Sequence, residues 1–127
     1  MFRISSDTNI LGSGEITRIL LPPRFFLEHF GNPIERDKYE VSGQYFFTNE
    51  SGDFFFVYDW KSTTLYHGKD SGFPTPEEFW KQQSLEQLHI GGKQDANPKD
   101  FMGWLTDEYL IFRDTKDTDG LINVFWP

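Results

Sequence analysis

The chain has 127 residues, no cysteine and a formal net charge of −8, and 18% of its residues are aromatic. This length fits one domain, residues 1–127, whose core the large aromatic side chains can form. The lack of cysteine excludes disulfide bonds, thiolate metal sites and a cysteine nucleophile, and favours a cytoplasmic location. No apolar run reaches the length of about eighteen residues that spans a membrane, so no membrane association is predicted.

The negative charge is distributed evenly along the chain. Residues 1–60 carry five basic and nine acidic side chains, and residues 61–127 carry seven and eleven, so each part has a net charge of −4. Such a surface repels nucleic-acid phosphates, and we expect no direct nucleic-acid binding. It favours solubility, a protein partner with a basic surface, or mimicry of nucleic acid.

The first predicted elements are short. Residues 1–5 indicate a strand, and residues 15–21 indicate either a strand or the start of a helix. The prolines at positions 22–23 then open a helix over residues 24–30, because proline is tolerated in a first helical turn. Gly31 ends this helix in the usual way.

The central predicted feature is a β-hairpin. Hydrophobic and polar side chains alternate on both sides of residues 49–52, and this two-residue period around a glycine turn is typical of antiparallel strands. A four-residue turn would pair Thr48 with Asp53. In that register the core face collects Tyr39, Val41, Tyr45, Phe47, Phe54, Phe56, Tyr58 and Trp60.

The opposite face of the hairpin is predicted to be mixed. It is polar at the open end of the hairpin and apolar near the turn, so it is either half covered by another element or half available to a partner. Its cross-strand pairs are Glu40 with Lys61, Ser42 with Asp59, Gln44 with Val57, and Phe46 with Phe55.

The second half of the chain predicts further elements around the hairpin. A loop over residues 66–76 runs into a capping box formed by Thr75 and Glu78, which starts a short helix. A third strand over residues 85–90 ends at a glycine turn. A helix then begins at Asn97, and its apolar face carries Phe101, Trp104, Leu105 and Tyr109.

A turn over residues 117–120 and a terminal strand over residues 121–126 complete the predicted elements. The predicted fold class is α+β: a small antiparallel sheet with a central aromatic β-hairpin, flanked by two or three short helices.

The segment Asp59-Trp60-Lys61 has the order of acid, spacer and lysine found in metal-dependent nucleases of the restriction type. In that chemistry the acid helps to bind Mg²⁺ and the lysine polarises the attacking water. The predicted register places Glu40 on the same face. An ordinary cross-strand ion pair explains the same residues, and an acidic protein lacks the basic groove that phosphates need. A Mg-dependent nuclease using Glu40, Asp59 and Lys61 is kept as an alternative.

A second candidate site is the segment from His89 to Lys93. A strand followed by Gly91 and Gly92 could hold an anion, as in a small-molecule or nucleotide-binding domain. The segment lacks a complete dinucleotide or P-loop motif, and a glycine turn with positive φ explains it better. The three histidines show no metal-ligand spacing, so neither a metal nor a cofactor is predicted.

Four short motifs occur at intervals along the chain. They are Phe30-Gly31-Asn32-Pro33, Lys38-Tyr39-Glu40-Val41, Val57-Tyr58-Asp59-Trp60-Lys61 and Leu88-His89-Ile90-Gly91-Gly92-Lys93. Together they resemble a family of small, uncharacterised proteins of bacteriophages and mobile elements, over roughly residues 22–105. The resemblance implies a phage-like or viral origin and no catalytic residue.

The leading functional hypothesis is a non-enzymatic, acidic protein-binding module, with inhibition of a host DNA-handling enzyme as its specific form. Large aromatic side chains would anchor the partner, and the negative charge would steer it. The predicted partner-binding residues are Phe46, Phe55, His67, Phe73 and Trp80. A structural role as a homo-oligomer that assembles through its sheet edges is a further alternative.

Overall fold

A computed structural model describes the backbone of residues 1–5, 13–35 and 40–125, and the side chains of the last helix as far as residue 115. This part of the chain contains six strands and four helices. The strands are β1 (Arg3–Ile4), β2 (Ser13–Leu21), β3 (Ile34–Glu35), β4 (Gly43–Thr48), β5 (Phe54–Tyr58) and β6 (Glu86–Lys93). The helices are α1 (Pro23–Phe30), α2 (Thr64–His67), α3 (Pro76–Trp80) and α4 (Lys99–Phe125).

All six strands form one antiparallel sheet in the order β1, β4, β5, β6, β2, and β3 also pairs with β4. Strands β4, β5 and β6 are neighbours in both sequence and space. Strand β2 lies beside β6, with an irregularity between Glu15 and Thr17 where one extra residue is accommodated. The predicted fold class, an α+β domain built around an aromatic hairpin, is therefore confirmed.

The hairpin loop has five residues, 49–53, instead of the four predicted, so Thr48 pairs with Phe54. Asn49 organises this loop, because its side-chain oxygen accepts hydrogen bonds from the backbone N–H groups of Ser51 and Asp53 at 3.0 and 2.9 Å. Its side-chain amide also donates to the Asp53 carboxylate at 3.1 Å. An Asx-type arrangement of this kind stabilises a longer loop than the glycine alone indicates.

The extra loop residue reverses the predicted faces of β5, since a one-residue shift moves every side chain to the other side of the sheet. Tyr45 and Phe47 lie in the core as predicted, but Phe55 and Val57 are their neighbours there. Trp60 lies beyond the end of β5 and is exposed. The predicted core residues Phe54, Phe56 and Tyr58 lie on the face of the sheet opposite the core, which we call the second face. Tyr39 lies outside the described residues.

Helices α1 and α4 cover the core face of the sheet. The ring of Phe101 in α4 packs against Phe47 and Phe55, with ring centroids 5.3 and 5.0 Å apart. The ring of Phe26 in α1 packs against Tyr45 at 5.4 Å. These contacts confirm the predicted apolar face of the last helix, and its other members pack against the same core.

The predicted helix ends are also found in the structure. Gly31 follows α1 with a φ of 88°, and its N–H bonds to the carbonyl of Leu27. Thr75 and Glu78 form the capping box at the start of α3. Local capping chemistry alone specified these ends.

Three predictions for the C-terminal half are wrong. Residues 121–125 continue helix α4 instead of forming a strand, and the predicted turn at 117–120 is helical as well. The predicted glycine turn at Gly91 and Gly92 is also absent, because β6 continues to Lys93 and neither glycine has a positive φ. None of the helices in the described part of the chain is long and apolar enough to cross a membrane.

Candidate functional site

Asp59 follows β5 directly and is fully buried. Its carboxylate accepts hydrogen bonds from the backbone N–H of Ser42 at 2.8 Å and of Gly43 at 3.0 Å, and from the Ser42 hydroxyl at 2.8 Å. Burial raises the pKa of this carboxyl, and the three hydrogen bonds oppose the shift. The carboxylate thus holds the start of β4 against the end of β5.

Ser42 connects this carboxylate to α3. While its hydroxyl donates to Asp59, the indole Nε1 of Trp80 donates to the same hydroxyl oxygen at 3.3 Å. The adjacent Gly43 allows close packing, since a Cβ at this position would lie 2.9 Å from Pro33 Cβ and 3.0 Å from the Trp80 nitrogen. Pro33 and Trp80 therefore leave no room for a side chain at position 43, where only glycine fits.

Ser42 and Trp80 line a groove of about 750 Å³ between α1, β3 and α3. Leu27, Pro33 and Pro76 form apolar parts of its wall. Concave sites of a few hundred cubic ångströms with mostly apolar walls are typical of ligand and peptide binding. Its rim carries charged side chains, namely Glu35, Glu77 and Lys81.

An aromatic surface lies next to this groove along the chain. We name it the α2 surface and define it by Trp60, Lys61, Leu65, Tyr66, His67 and Phe73. Its large apolar side chains are exposed to similar extents: Trp60 44%, Leu65 42%, Tyr66 46% and Phe73 44%. Several such side chains close together in sequence and structure are uncommon on a surface that contacts only water.

Hydrogen bonds and ring contacts link several members of the α2 surface. The Thr63 side chain caps α2 by accepting from the N–H of Leu65. His67 Nε2 donates to the Lys61 carbonyl at 2.8 Å, and its ring stacks on Phe73 with centroids 3.5 Å apart. The Lys61 ammonium lies 4.7 Å from the ring centroid of Tyr66, within cation–π range.

The three residues of the nuclease hypothesis have separate environments. Glu40 and Lys61 meet through the backbone, because the Lys61 N–H donates to the Glu40 carbonyl at 2.6 Å. The Asp59 carboxylate already accepts from Ser42 and Gly43, and these contacts favour a structural role for it. Among the described residues, no three His, Asp or Glu side chains are placed to hold a metal ion.

The predicted partner-binding residues fall into two groups. Phe46, Phe55 and Trp80 are each only 3% exposed, so they pack inside the protein instead of lying on an open face. Phe55 lies on the core face and Phe46 on the second face, whereas the prediction placed both on the same face. His67 and Phe73 belong to the α2 surface.

The second face of the sheet carries a strip of stacked aromatic side chains. The Phe46 ring stacks on Phe54 and Phe56 with centroids 5.5 and 6.0 Å apart. Tyr58 stacks on Phe56 and on His89, at 5.5 Å in each case. Burial, with a smaller contribution from a nearby negative charge, raises the pKa of Tyr58 to about 12. Of the apolar residues predicted for this face, only Phe46 belongs to the strip, because Phe55 and Val57 lie in the core.

The predicted anion-binding segment is part of this sheet. Gly91 and Gly92 lie within β6, which pairs with β5 on one side and β2 on the other. The loop on which the anion-binding hypothesis depended is therefore absent. Lys93 is exposed at the end of the strand, and His89 is nearly buried.

His89 forms a polar pair that the sequence did not indicate. Its Nδ1 atom is hydrogen bonded to the carboxylate of Glu15 in β2, and Arg18 Nε donates to the same carboxylate at 2.9 Å. The hydrogen bond with His89 lowers the pKa of Glu15, partial burial opposes this, and Arg18 lowers it further. The partners are 74 residues apart, so only the pairing of β2 with β6 brings them together.

Sequence reasoning also missed Trp60, Tyr66 and the position of Lys61 as surface features. The sequence did contain a signal for helix α2: Thr63, a residue type common at helix N-caps, comes shortly before the apolar pair Leu65 and Tyr66. Assigning Trp60 to the hairpin core concealed the surface.

No protein-family model matches this chain, and no curated protein matches it significantly. Its function therefore has to be inferred from its own residues and their arrangement.

Proposed function

We propose that this protein is a protein-binding module that contacts its partner through the α2 surface. The observation that carries the proposal is the group of exposed aromatic side chains Trp60, Tyr66 and Phe73, which are each about half exposed. Tryptophan and tyrosine are enriched among the residues that dominate binding energy at protein interfaces. Because His67 stacks on Phe73, and both His67 and Lys61 contact Tyr66, the rings of Tyr66 and Phe73 lose less conformational entropy on binding.

The overall charge supports a partner with a basic surface. With a net charge of −8, the protein is attracted to basic surfaces at long range, which raises association rates at low salt. DNA-handling enzymes present basic surfaces to phosphates. Inhibition of such an enzyme is the specific function that we propose for the module.

Affinity capture with matched variants tests the proposal. The protein and the double variant Trp60→Ala/Tyr66→Ala are used as baits in lysate of the source cell. We expect the double variant to lose most of the captured partner, at least about tenfold, because hot-spot truncations cost about 2 kcal/mol or more. Partners are identified by mass spectrometry.

The control is the double variant Leu20→Ala/Leu85→Ala. These leucines are 61% and 59% exposed and lie outside the α2 surface, so capture should be unchanged. Equal capture by all three baits, or no captured protein at all, would contradict the proposed function.

A further inference from the structure

We propose that the groove between α1, β3 and α3 binds an extended basic segment of the partner protein. This inference rests on the proposed function, because it adds a second contact site to the same complex. The segment of chain between the two sites is short: Phe73 of the α2 surface is two residues before Thr75, the N-cap of α3. A hydrogen bond of 2.9 Å from Thr64 N–H to the Pro74 carbonyl ties α2 to this segment.

The floor of the groove is hydrogen bonded internally. The Ser42 hydroxyl donates to Asp59 and accepts from Trp80, so both polar groups at the floor already have partners. The walls formed by Leu27, Pro33 and Pro76 are apolar. The groove therefore offers hydrophobic contact to the stem of a long side chain, and polar recognition comes from its rim.

The charges on the rim select a cation. Glu35 is exposed and forms no ion pair with a described residue, and it places a second carboxylate beside Glu77 on the rim. Glu77 pairs with Lys81 at 2.9 Å, but both side chains are more than half exposed. Exposed pairs of this kind contribute little, and an arginine of the ligand can replace Lys81 as the partner of Glu77. The net charge of −8 acts in the same direction.

The probe is an acetylated, amidated hexa-arginine peptide with a fluorescent label. Binding is measured by fluorescence anisotropy, and the site is located by the NMR signal of the Trp80 indole N–H. We expect this signal to shift on titration. We expect Glu35→Gln/Glu77→Gln to weaken binding about fivefold, since two exposed charge contacts are lost.

Two further variants separate a local site from general charge attraction. Asp107→Asn/Asp114→Asn makes the same change in net charge on exposed positions of α4 and should change affinity less than about twofold. Lys81→Gln removes the competing cation and should strengthen binding. All the altered side chains are exposed, so each variant is expected to fold. Thermal unfolding checks this for each variant.

Equal weakening by the two double variants would overturn the inference, as would an unmoved Trp80 signal. A failure here leaves the α2 surface experiment unaffected, because that experiment alters Trp60 and Tyr66 and uses no peptide. Loss of capture by the α2 variant together with an unmoved Trp80 signal would show that the groove is not the second contact site.

Discussion

Gly91 is the residue at which the packing of the second face is most restrictive. The Phe56 ring packs against its backbone, since a Cβ at this position would overlap the ring, most closely at its Cζ atom. Glycine in a central strand often marks such a close approach, where an aromatic ring covers the bare backbone. The glycine pair that suggested a turn in the sequence therefore serves sheet packing.

We predict that Gly91→Ala destabilises the protein by about 1–3 kcal/mol, because the Phe56 ring must leave its position. Urea unfolding followed by circular dichroism measures the free energy of unfolding. Gly14→Ala in β2 is the control, since no atom of a described residue lies within 4 Å of its added Cβ. Similar losses for both variants would contradict this account of Gly91.

The hydrogen bond between Glu15 and His89 makes a second prediction at the residue scale. The pKa of Glu15 is lowered from the ordinary value of 4.5, so its contribution to stability is present above that pH and is lost as the pH falls through the lowered value. We expect the melting temperature of the protein to exceed that of Glu15→Gln at pH 7, and the difference to vanish in more acidic solution.

The measurement is differential scanning calorimetry of the two proteins from pH 7 to pH 3 at constant ionic strength. The comparison cancels the contributions of the other carboxylates, which both proteins share. A difference that stays constant over this range would show that the ionisation of Glu15 does not stabilise the fold.

At the scale of elements, the five-residue loop determines which face of β5 enters the core. Asn49 holds that loop through its contacts with Ser51 and Asp53. We predict that Asn49→Ala costs about 1–2 kcal/mol, because its side chain makes three hydrogen bonds there. Ser51→Ala should hardly change the free energy of unfolding, because the backbone N–H that donates to the Asn49 side chain is kept. Urea unfolding distinguishes the two, and equal stabilities would contradict this role of Asn49.

Much of the fold was predictable because its signals are local. Alternation placed Tyr45 and Phe47 in the core, and capping chemistry specified the start of α3 at Thr75. The register of β5 was not predictable, because it depends on side-chain hydrogen bonds within the loop that a count of turn residues does not reveal. The end of α4 was also missed, since a short apolar run after Gly120 is compatible with either strand or helix.

The candidate site was predictable only in part, for the same reason. His67 and Phe73 belong to the predicted loop over residues 66–76, whose length marked it as a candidate functional segment, although His67 ends helix α2 in the structure. Trp60 was assigned to the wrong environment because it was placed in register with a strand that ends at Tyr58. The groove depends on Pro33 and Trp80 meeting across Gly43, and no sequence pattern encodes that contact.

At the scale of the whole molecule, the proposed binding features lie near one end of the hairpin. Asp59 holds the strands β4 and β5 together there. Its partner Ser42 lines the groove, and the α2 surface begins at the next residue, Trp60. The remaining sheet supplies a rigid aromatic scaffold, with α1 and α4 on one face and stacked rings on the other. A small protein can thus present a fixed aromatic surface on an otherwise acidic exterior.

Hydrogen exchange of the captured complex tests the central claim, that the α2 surface is the interface, most directly. The amide groups of residues 60–73 should exchange more slowly in the complex than in the free protein, because the partner excludes water from them. Residues 110–115 of α4, which include the exposed Ile111, should exchange equally in both. Protection of the α4 segment with none over residues 60–73 would contradict the account.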